Sequence, residues 1–311
     1  MSLRRLARTT SRIALALACC LPTLAWGQEL KVATWNLNWL TLRARPGVGL
    51  PPDVRPRTPE DLDRLATYVR ELDADVVAIQ EVDGWDAAAR LFPRDRYSIH
   101  MTRDHVVQRV GIVVRRGLHY DRNPDVTAMN PDPLMHLRSG ADITLHLAGT
   151  DLRVLAVHLK TGCQDRSLRS KRRPCRELGE QIEPLQEWIA ARKREDIPFL
   201  VLGDFNRRME PPDRFILALV KAAPLVRATE GHSSPCWDNE PFIDHIFMGG
   251  KARDWLVPDS LRVLVYRETG KEWQDRLSDH CPVSIRLSIP DGLPVAPPSH
   301  TVAPAQEGTD P

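Results

Sequence analysis

The chain has 311 residues, 42% hydrophobic and 27% charged, the balance of a globular protein with room for one large domain or two small ones. Its formal charge is +2, but four of its 43 basic residues (Arg4, Arg5, Arg8 and Arg12) and none of its 41 acidic ones fall within residues 1–27, so the remainder is net −2. Global basicity is therefore excluded as a reason to bind a polyanion, and beyond the N-terminus no apolar stretch is long enough to suggest a membrane span.

The N-terminus combines those arginines with a short apolar stretch, Ile13 to Leu21. Ala25-Trp26-Gly27 then supplies small residues at the −3 and −1 positions of a cut before Gln28. This is the pattern of a secretory signal peptide over 1–27 and implies an exported, periplasmic or extracellular protein. Four cysteines follow it: Cys163, Cys175, Cys236 and Cys281. In an oxidising compartment they imply disulfides, with three pairings open. Cys163 with Cys175 closes a short loop and leaves Cys236 with Cys281, which is the expected pairing.

A strand is expected over Glu29–Leu37, ending at Asn36. A Pro-, Gly- and Arg-rich loop follows, Arg43 to Arg57. Thr58-Pro59-Glu60-Asp61 gives a cap, an early proline and early acids, and Leu62, Leu65, Ala66, Val69 and Leu72 continue at helical spacing. Asp75–Val82 reads as a buried strand ending in Gln80-Glu81. Tyr97–Met101 and Val110–Val114 are further strands. Asp142–Leu147 and Asp151–Leu159 alternate around Ala148-Gly149-Thr150, a hairpin whose second arm carries His158. A basic loop spans Gly162–Arg176 and a helix Leu178–Arg192. Phe199 to Leu202 is a wholly apolar run, suited to a strand buried on both faces, and Gly203, Asp204 and Asn206 follow it. A helix is expected over Arg214–Ala222, then strands over Phe242–Met248, with Asp244 inside, Leu261–Val265 and Pro282–Leu287. Residues 289–311 carry six prolines and few apolar anchors, the composition of a disordered tail.

Polar groups thus recur at strand ends: Asn36, Glu81, His158, Asp204 with Asn206, and Asp279 with His280. Asp and Asn also favour turns, so one such end is unremarkable. Repetition suggests that several strands deliver side chains to one sheet edge, where α/β proteins commonly place sites.

The segments Thr34-Trp35-Asn36, Gln80-Glu81, Val157-His158-Leu159, Gly203-Asp204-Phe205-Asn206, Ile243-Asp244-His245 and Ser278-Asp279-His280 resemble, in order, the motifs of the endonuclease/exonuclease/phosphatase superfamily. That superfamily includes deoxyribonuclease I, exonuclease III, neutral sphingomyelinases and inositol-polyphosphate phosphatases. The resemblance implies a four-layered α/β sandwich over residues 28–288, two mixed sheets face to face with helices outside. It implies a monomeric, divalent-metal-dependent phosphoesterase. Glu81, with Asn36 and Asp279, would form the Mg²⁺ or Mn²⁺ shell, as suits hard oxygen ligands. Asp204 and His280, the latter paired with Asp244, are the alternatives for activating water. His280 could instead contact phosphate. His158 would protonate the leaving oxygen or bind a phosphoryl oxygen, and Asn206 would donate to an anionic oxygen. Gln108 stands where deoxyribonuclease I supports its histidine with a glutamate, and Asn38 where exonuclease III has an aspartate. Asn38 and Arg109 are further expected substrate contacts. So are Arg169, Arg172 and Arg173 of the basic loop, which can equally be solvated. His100, His119, His136, His146, His232 and His300 are expected to be structural or surface residues. The leading substrate is DNA or RNA. A phospholipid or other small phosphoester is the runner-up, and a non-catalytic binding protein of the same fold is the third reading.

Overall fold

The computed structural model describes residues 28–290 apart from 44–49, 53, 132–136, 211 and 238. The signal segment expected over 1–27, residues 291–311 of the expected tail, part of the Arg43–Arg57 loop, His136 and His300 therefore lie outside the described residues, whereas Ile289, expected to open the tail, is buried and ends a strand paired with Gln28. In chain order the elements are β1 (Gln28–Leu40), α1 (Pro59–Leu72), β2 (Val76–Val82), α2 (Gly84–Leu91), β3 (Tyr97–Met101) and β4 (Arg109–Arg115). Next come β5 (His119–Arg122), β6 (Ala141–Leu147), β7 (Thr150–His158), α3 (Arg173–Glu180), α4 (Ile182–Arg194) and β8 (Phe199–Asp204). The chain continues with α5 (Arg214–Ala222), β9 (Leu225–Arg227), β10 (Asp244–Gly249), β11 (Arg262–Val263), α6 (Glu272–Arg276) and β12 (Val283–Ile289).

The strands form two six-stranded mixed sheets, β11-β12-β1-β2-β4-β3 and β5-β6-β7-β8-β10-β9. β1 runs parallel to β2, and β7 to β8; the other pairings are antiparallel. Alternation along each strand divides the apolar residues between two layers. Leu30, Val32, Val76, Ala78, Val154, Ala156, Leu200, Leu202, Ile246 and Met248 meet in the seam between the sheets. Ala33, Trp35, Val77 and Ile79 instead pack under Leu62, Leu65 and Val69 of α1. Phe199 and Val201 pack under Leu178, Leu185, Ile189 and Phe215 of α3, α4 and α5. The result is the expected helix–sheet–sheet–helix sandwich. No helix among the described residues is long and apolar enough to cross a membrane.

α1 begins as its cap requires: Thr58 and Asp61 form a reciprocal capping box with Pro59 in the first turn. The expected helix over 178–192 is instead two, broken at Gln181. That buried side chain accepts from the Lys160 amide and donates to the Met129 carbonyl, anchoring the chain after His158. Arg173 starts α3 rather than lying in the preceding loop. Asp244 is the first residue of its strand, not an interior one. α2, β5, β9 and α6 had no clear sequence signal.

The sheets meet the site through close backbone approach at Gly203. A Cβ there would lie 2.0 Å from the Val157 carbonyl oxygen, and φ is +148°. Gly203→Ala is expected to lower stability by about 3 kcal/mol or more, because backbone rather than a flexible side chain occupies the space. Urea denaturation of the variant checks this; a loss under 1 kcal/mol, against the ~1–3 kcal/mol usual for overpacking, would contradict it.

Candidate active site

The seam between the sheets is apolar along most of each strand and turns polar towards the strand ends, on β1 from Thr34 onward. Asn36 continues the row of Leu30 and Val32, Asp204 that of Leu200 and Leu202, His158 that of Val154 and Ala156, and Asp244 that of Ile246 and Met248. Register sets them side by side: His158 is opposite Asp204 across the parallel β7–β8 pair, and Asp244 opposite Asp204 across β8–β10. Glu81 reaches the same edge with φ +60°, beside shifts in the β1–β2 and β2–β4 registers. Asn38, Trp39 and Asn206 also have positive φ, so non-glycine residues in this costly region gather at the site.

Asp204 is buried. Its Oδ1 accepts from the Asn206 amide at 2.8 Å, and its Oδ2 from Nδ2 of Asn36 and of Asn206, each at 3.0 Å. Asn36 Nδ2 also donates to Glu81 Oε1 at 3.2 Å, so one carboxamide spans both acids. Glu81 Oε2 accepts from the Trp39 amide and from Gln108 Nε2. His280 Nδ1 lies 2.7 Å from Asp244 Oδ2, and its Nε2 is 3.9 Å from Asp204 Oδ2. Asp244 Oδ1 is buried without a hydrogen-bond partner among the described residues. His158 Nε2 is 3.6 Å from Glu81 Oε1 and 3.7 Å from Asp204 Oδ2, and its Nδ1 has no hydrogen-bond partner among the described residues.

Burial is the largest influence on Asp204 and raises its pKa to about 7; Asp244 adds to the rise, while His280 and the bonds from Asn206 and Asn36 oppose it. Burial works against the His280 imidazolium, but Asp244 and Asp204 overcome it and hold the ring well above the usual histidine range. His158 goes the other way. Burial, then the charges of Arg138 and His280, push it well below that range.

A cleft of about 410 Å³ opens over these groups. Glu81, His158, Asp204, Asn206, Asp244, Asp279 and His280 all line it, Asp279 as an exposed wall residue. Asn36 supports it from beneath. Asn38, Arg109, Arg169, Arg172 and Arg173 are not part of the lining. Asn38 Nδ2 is spent on the Gln274 carbonyl, and Arg109 donates to the Val106 carbonyl beside Gly84. Arg173 pairs with buried Glu177, and Arg169 and Arg172 are exposed. Gln108 does not support His158; it joins Glu81 to Arg138, whose Nε donates to the Gln108 carbonyl and whose Nη2 meets its Oε1. The cations in the lining are Arg138, Lys160 and Arg208, with Trp237 beside them. Arg208, two residues beyond Asn206, was accessible to strand-end reasoning; Arg138 follows no periodic pattern. Among the remaining histidines, His245 is buried between Thr229 Oγ1 and the Arg207 carbonyl, a structural position. Both expected disulfides, Cys163–Cys175 and Cys236–Cys281, are present, the second adjoining His280.

The donor set fits a hard divalent cation. Ligand atoms of Asp204, Asp244 and His280 lie within 4.8 Å of one another, Glu81 adds oxygens, and buried Asp244 Oδ1 has no partner among the described residues; the expected ligand Asn36 turns Nδ2 to the acids, while its Oδ1 accepts from the Asn38 amide at 2.9 Å. A hard cation prefers oxygen, so the carboxylates rather than the His280 ring are the stronger donors.

In the metal-free protein Asp204 is expected to make stability fall as pH rises from about 4 to about 7. The native state binds its proton across that window and the unfolded state does not. The difference between parent and Asp204→Asn in unfolding free energy, followed by urea titration from pH 4 to 8, measures it. A pH-independent difference would contradict the raised pKa.

A profile of the Endonuclease/Exonuclease/phosphatase family matches residues 33–280. No curated protein matches the chain. Among solved structures it is similar to TDP2 from Caenorhabditis elegans, with 16% identity, 84% of this chain and 74% of that one covered, and TM-score 0.55. It is also similar to NExo from Neisseria, a 3′ phosphatase bound to a product DNA hairpin, at 17% identity, 83% and 99% coverage and TM-score 0.55. The human Nocturnin catalytic domain gives 17% identity, 84% and 94% coverage and TM-score 0.50. These likenesses show a shared fold. The profile match spans most of the chain, and with the carboxylate–histidine cluster it makes this chain a metal-dependent phosphoesterase of the endonuclease/exonuclease/phosphatase family.

Proposed function

We propose that the protein is an exported phosphodiesterase that hydrolyses DNA or RNA. The observation that carries the reading is the facing of buried Asp204 by His280, itself paired with Asp244, beneath a cleft whose cations are Arg138, Lys160 and Arg208. A backbone phosphate entering this cleft meets cationic side chains on its walls and Trp237 as a surface for a base. NExo, similar in fold, is bound to a DNA hairpin, which favours nucleic acid over lipid. The signal pattern and two disulfides support export.

The protonation states divide the roles. Asp204, raised towards neutrality, accepts the proton of the attacking water. His280 is held as an imidazolium by Asp244, so it donates to a phosphoryl oxygen rather than accepting a proton. His158 is neutral and offers a hydrogen bond from within the cleft. Asn206 fixes the Asp204 carboxylate and is itself tied to the Leu159 carbonyl. Glu81, with Asp279, would hold Mg²⁺ or Mn²⁺, and Asn36 steadies Glu81 through Nδ2; bound there, the cation would supply Lewis-acid polarisation of the phosphoryl oxygen and stabilise the leaving group.

Three outcomes are expected. EDTA abolishes cleavage of plasmid DNA or RNA by the purified mature protein, and Mg²⁺ or Mn²⁺ restores it. Asp204→Ala and His280→Ala each lower kcat by about 10²–10⁴-fold with an unchanged circular-dichroism spectrum. Glu81→Gln weakens calorimetric Mn²⁺ binding, because an amide is a poorer ligand for a hard cation. Hydrolysis of sphingomyelin with no cleavage of DNA or RNA would replace the substrate reading.

A further inference from the structure

Arg57 lies at the end of a loop, outside every motif that carries chemistry, yet it is 8% exposed and close enough to Asp279 and Glu81 for their charges to act on it. No ion pair joins it to a carboxylate of the described residues. Its guanidinium is satisfied by backbone alone. Nε and Nη2 donate to the Leu277 carbonyl at 3.2 and 2.7 Å, Nη1 to that of Trp39 at 3.1 Å, and Nη2 also to those of Leu37 and Asn38 at 2.8 and 2.7 Å. Burial pulls its pKa down to about 10, so it stays charged at neutral pH.

The carbonyls it gathers belong to two segments that carry site groups. The first, 36–39, contains Asn36 and the left-handed residues Asn38 and Trp39; the Trp39 amide donates to Glu81 Oε2. The second, 277–280, contains Ser278, Asp279 and His280. A second tie joins the same segments: Ser278 Oγ donates to the Asn36 carbonyl at 2.7 Å and accepts from the His280 amide at 3.0 Å. Left-handed backbone costs of order 1–3 kcal/mol per residue and persists only where its surroundings over-determine it. A planar fork with five N–H donors can hold carbonyls converging from two chains at once, whereas a lysine ammonium is a point donor.

We propose that Arg57 is a positioning residue for catalysis: its carbonyl clamp locks segment 36–39 to segment 277–280 and so fixes Glu81, through the Trp39 amide, relative to His280. It touches neither substrate nor the reacting atoms. The inference rests on the catalytic reading above.

Arg57→Lys keeps the charge and removes the fork. With bis(p-nitrophenyl) phosphate and saturating Mn²⁺, kcat is expected to fall at least tenfold with KM within threefold, while the folded circular-dichroism spectrum remains. Arg57→Ala is expected to recover at least fivefold of its kcat loss in millimolar guanidinium, a concentration that leaves the parent unchanged. Ser278→Ala, which severs the smaller tie alone, is expected to lose kcat by about threefold to tenfold at unchanged KM. A folded Arg57→Lys with kcat within threefold of the parent overturns the proposal, as does a loss confined to KM. If both Arg57 variants fail to fold, Ser278→Ala decides: parental kcat assigns Arg57 to stability alone and overturns the proposal, and a selective kcat loss sustains it. A parent with no activity on any phosphodiester contradicts the catalytic reading itself, an outcome distinct from parental activity that the variants leave unmoved.

Discussion

Face-to-face packing of two sheets requires every central strand to send alternate residues into one dry seam. In this protein the seam does not stop where its apolar residues stop. His158, Asp204 and Asp244 occupy the next positions in rows that begin with Val154, Leu200 and Met248, and Asn36 follows Leu30, Val32 and buried Thr34 in its own. Polar groups thereby acquire the desolvation of core residues. Burying an ionised group costs several kcal/mol unless partners offset it. The offset here comes from Asn36 and Asn206, which donate to Asp204, and from His280, whose charge faces it. The partners are aligned because the rows that carry them are aligned by backbone pairing.

The same geometry explains what the sequence could disclose. An apolar run ending in a polar residue is a local signal, so β1, β2, β7, β8 and the residues at their ends were legible, as was the short-loop pairing of Cys163 with Cys175. Residues whose partners are distant backbone atoms were not. Arg57 binds carbonyls on either side of the site, one of them 220 positions away, and a loop arginine carries no periodicity that marks it as buried. Arg138 reaches the cleft through Gln108, again without a pattern. Density of charge proved a poor guide to position. The arginine-rich loop is conspicuous in the sequence, but Arg169, Arg172 and Arg173 lie off the cleft lining, whose cations are Arg138, Lys160, which shares Glu177 with Arg173, and Arg208, which pairs with Asp165 and Glu240. The single helix expected over Leu178–Arg192 is divided for a related reason. Gln181 interrupts it to satisfy the Lys160 amide and the Met129 carbonyl, a tertiary demand invisible to helical spacing.

Two histidines at nearly equal range from one carboxylate oxygen carry the remaining argument. His158 Nε2 is 3.7 Å and His280 Nε2 3.9 Å from Asp204 Oδ2, so distance to Asp204 does not separate their chemistry. The far ring nitrogen does. His280 gives Nδ1 to Asp244, and that carboxylate holds the ring charged against its burial. His158 has no partner on Nδ1 among the described residues and the charge of Arg138 nearby, so burial prevails and the ring is neutral. One imidazolium and one imidazole therefore face the same acid. The charged ring helps Asp204 remain ionised against its burial, while the neutral one adds no charge, and the acid is left near neutrality, poised to exchange a proton at physiological pH. Had position 108 carried a carboxylate turned to His158, in place of the neutral carboxamide of Gln108, both rings would lean towards the charged form. Gln108 is committed to Glu81 and Arg138, so the difference in charge between the two rings follows from the neighbour that each ring's Nδ1 meets: Asp244 for His280, and none among the described residues for His158.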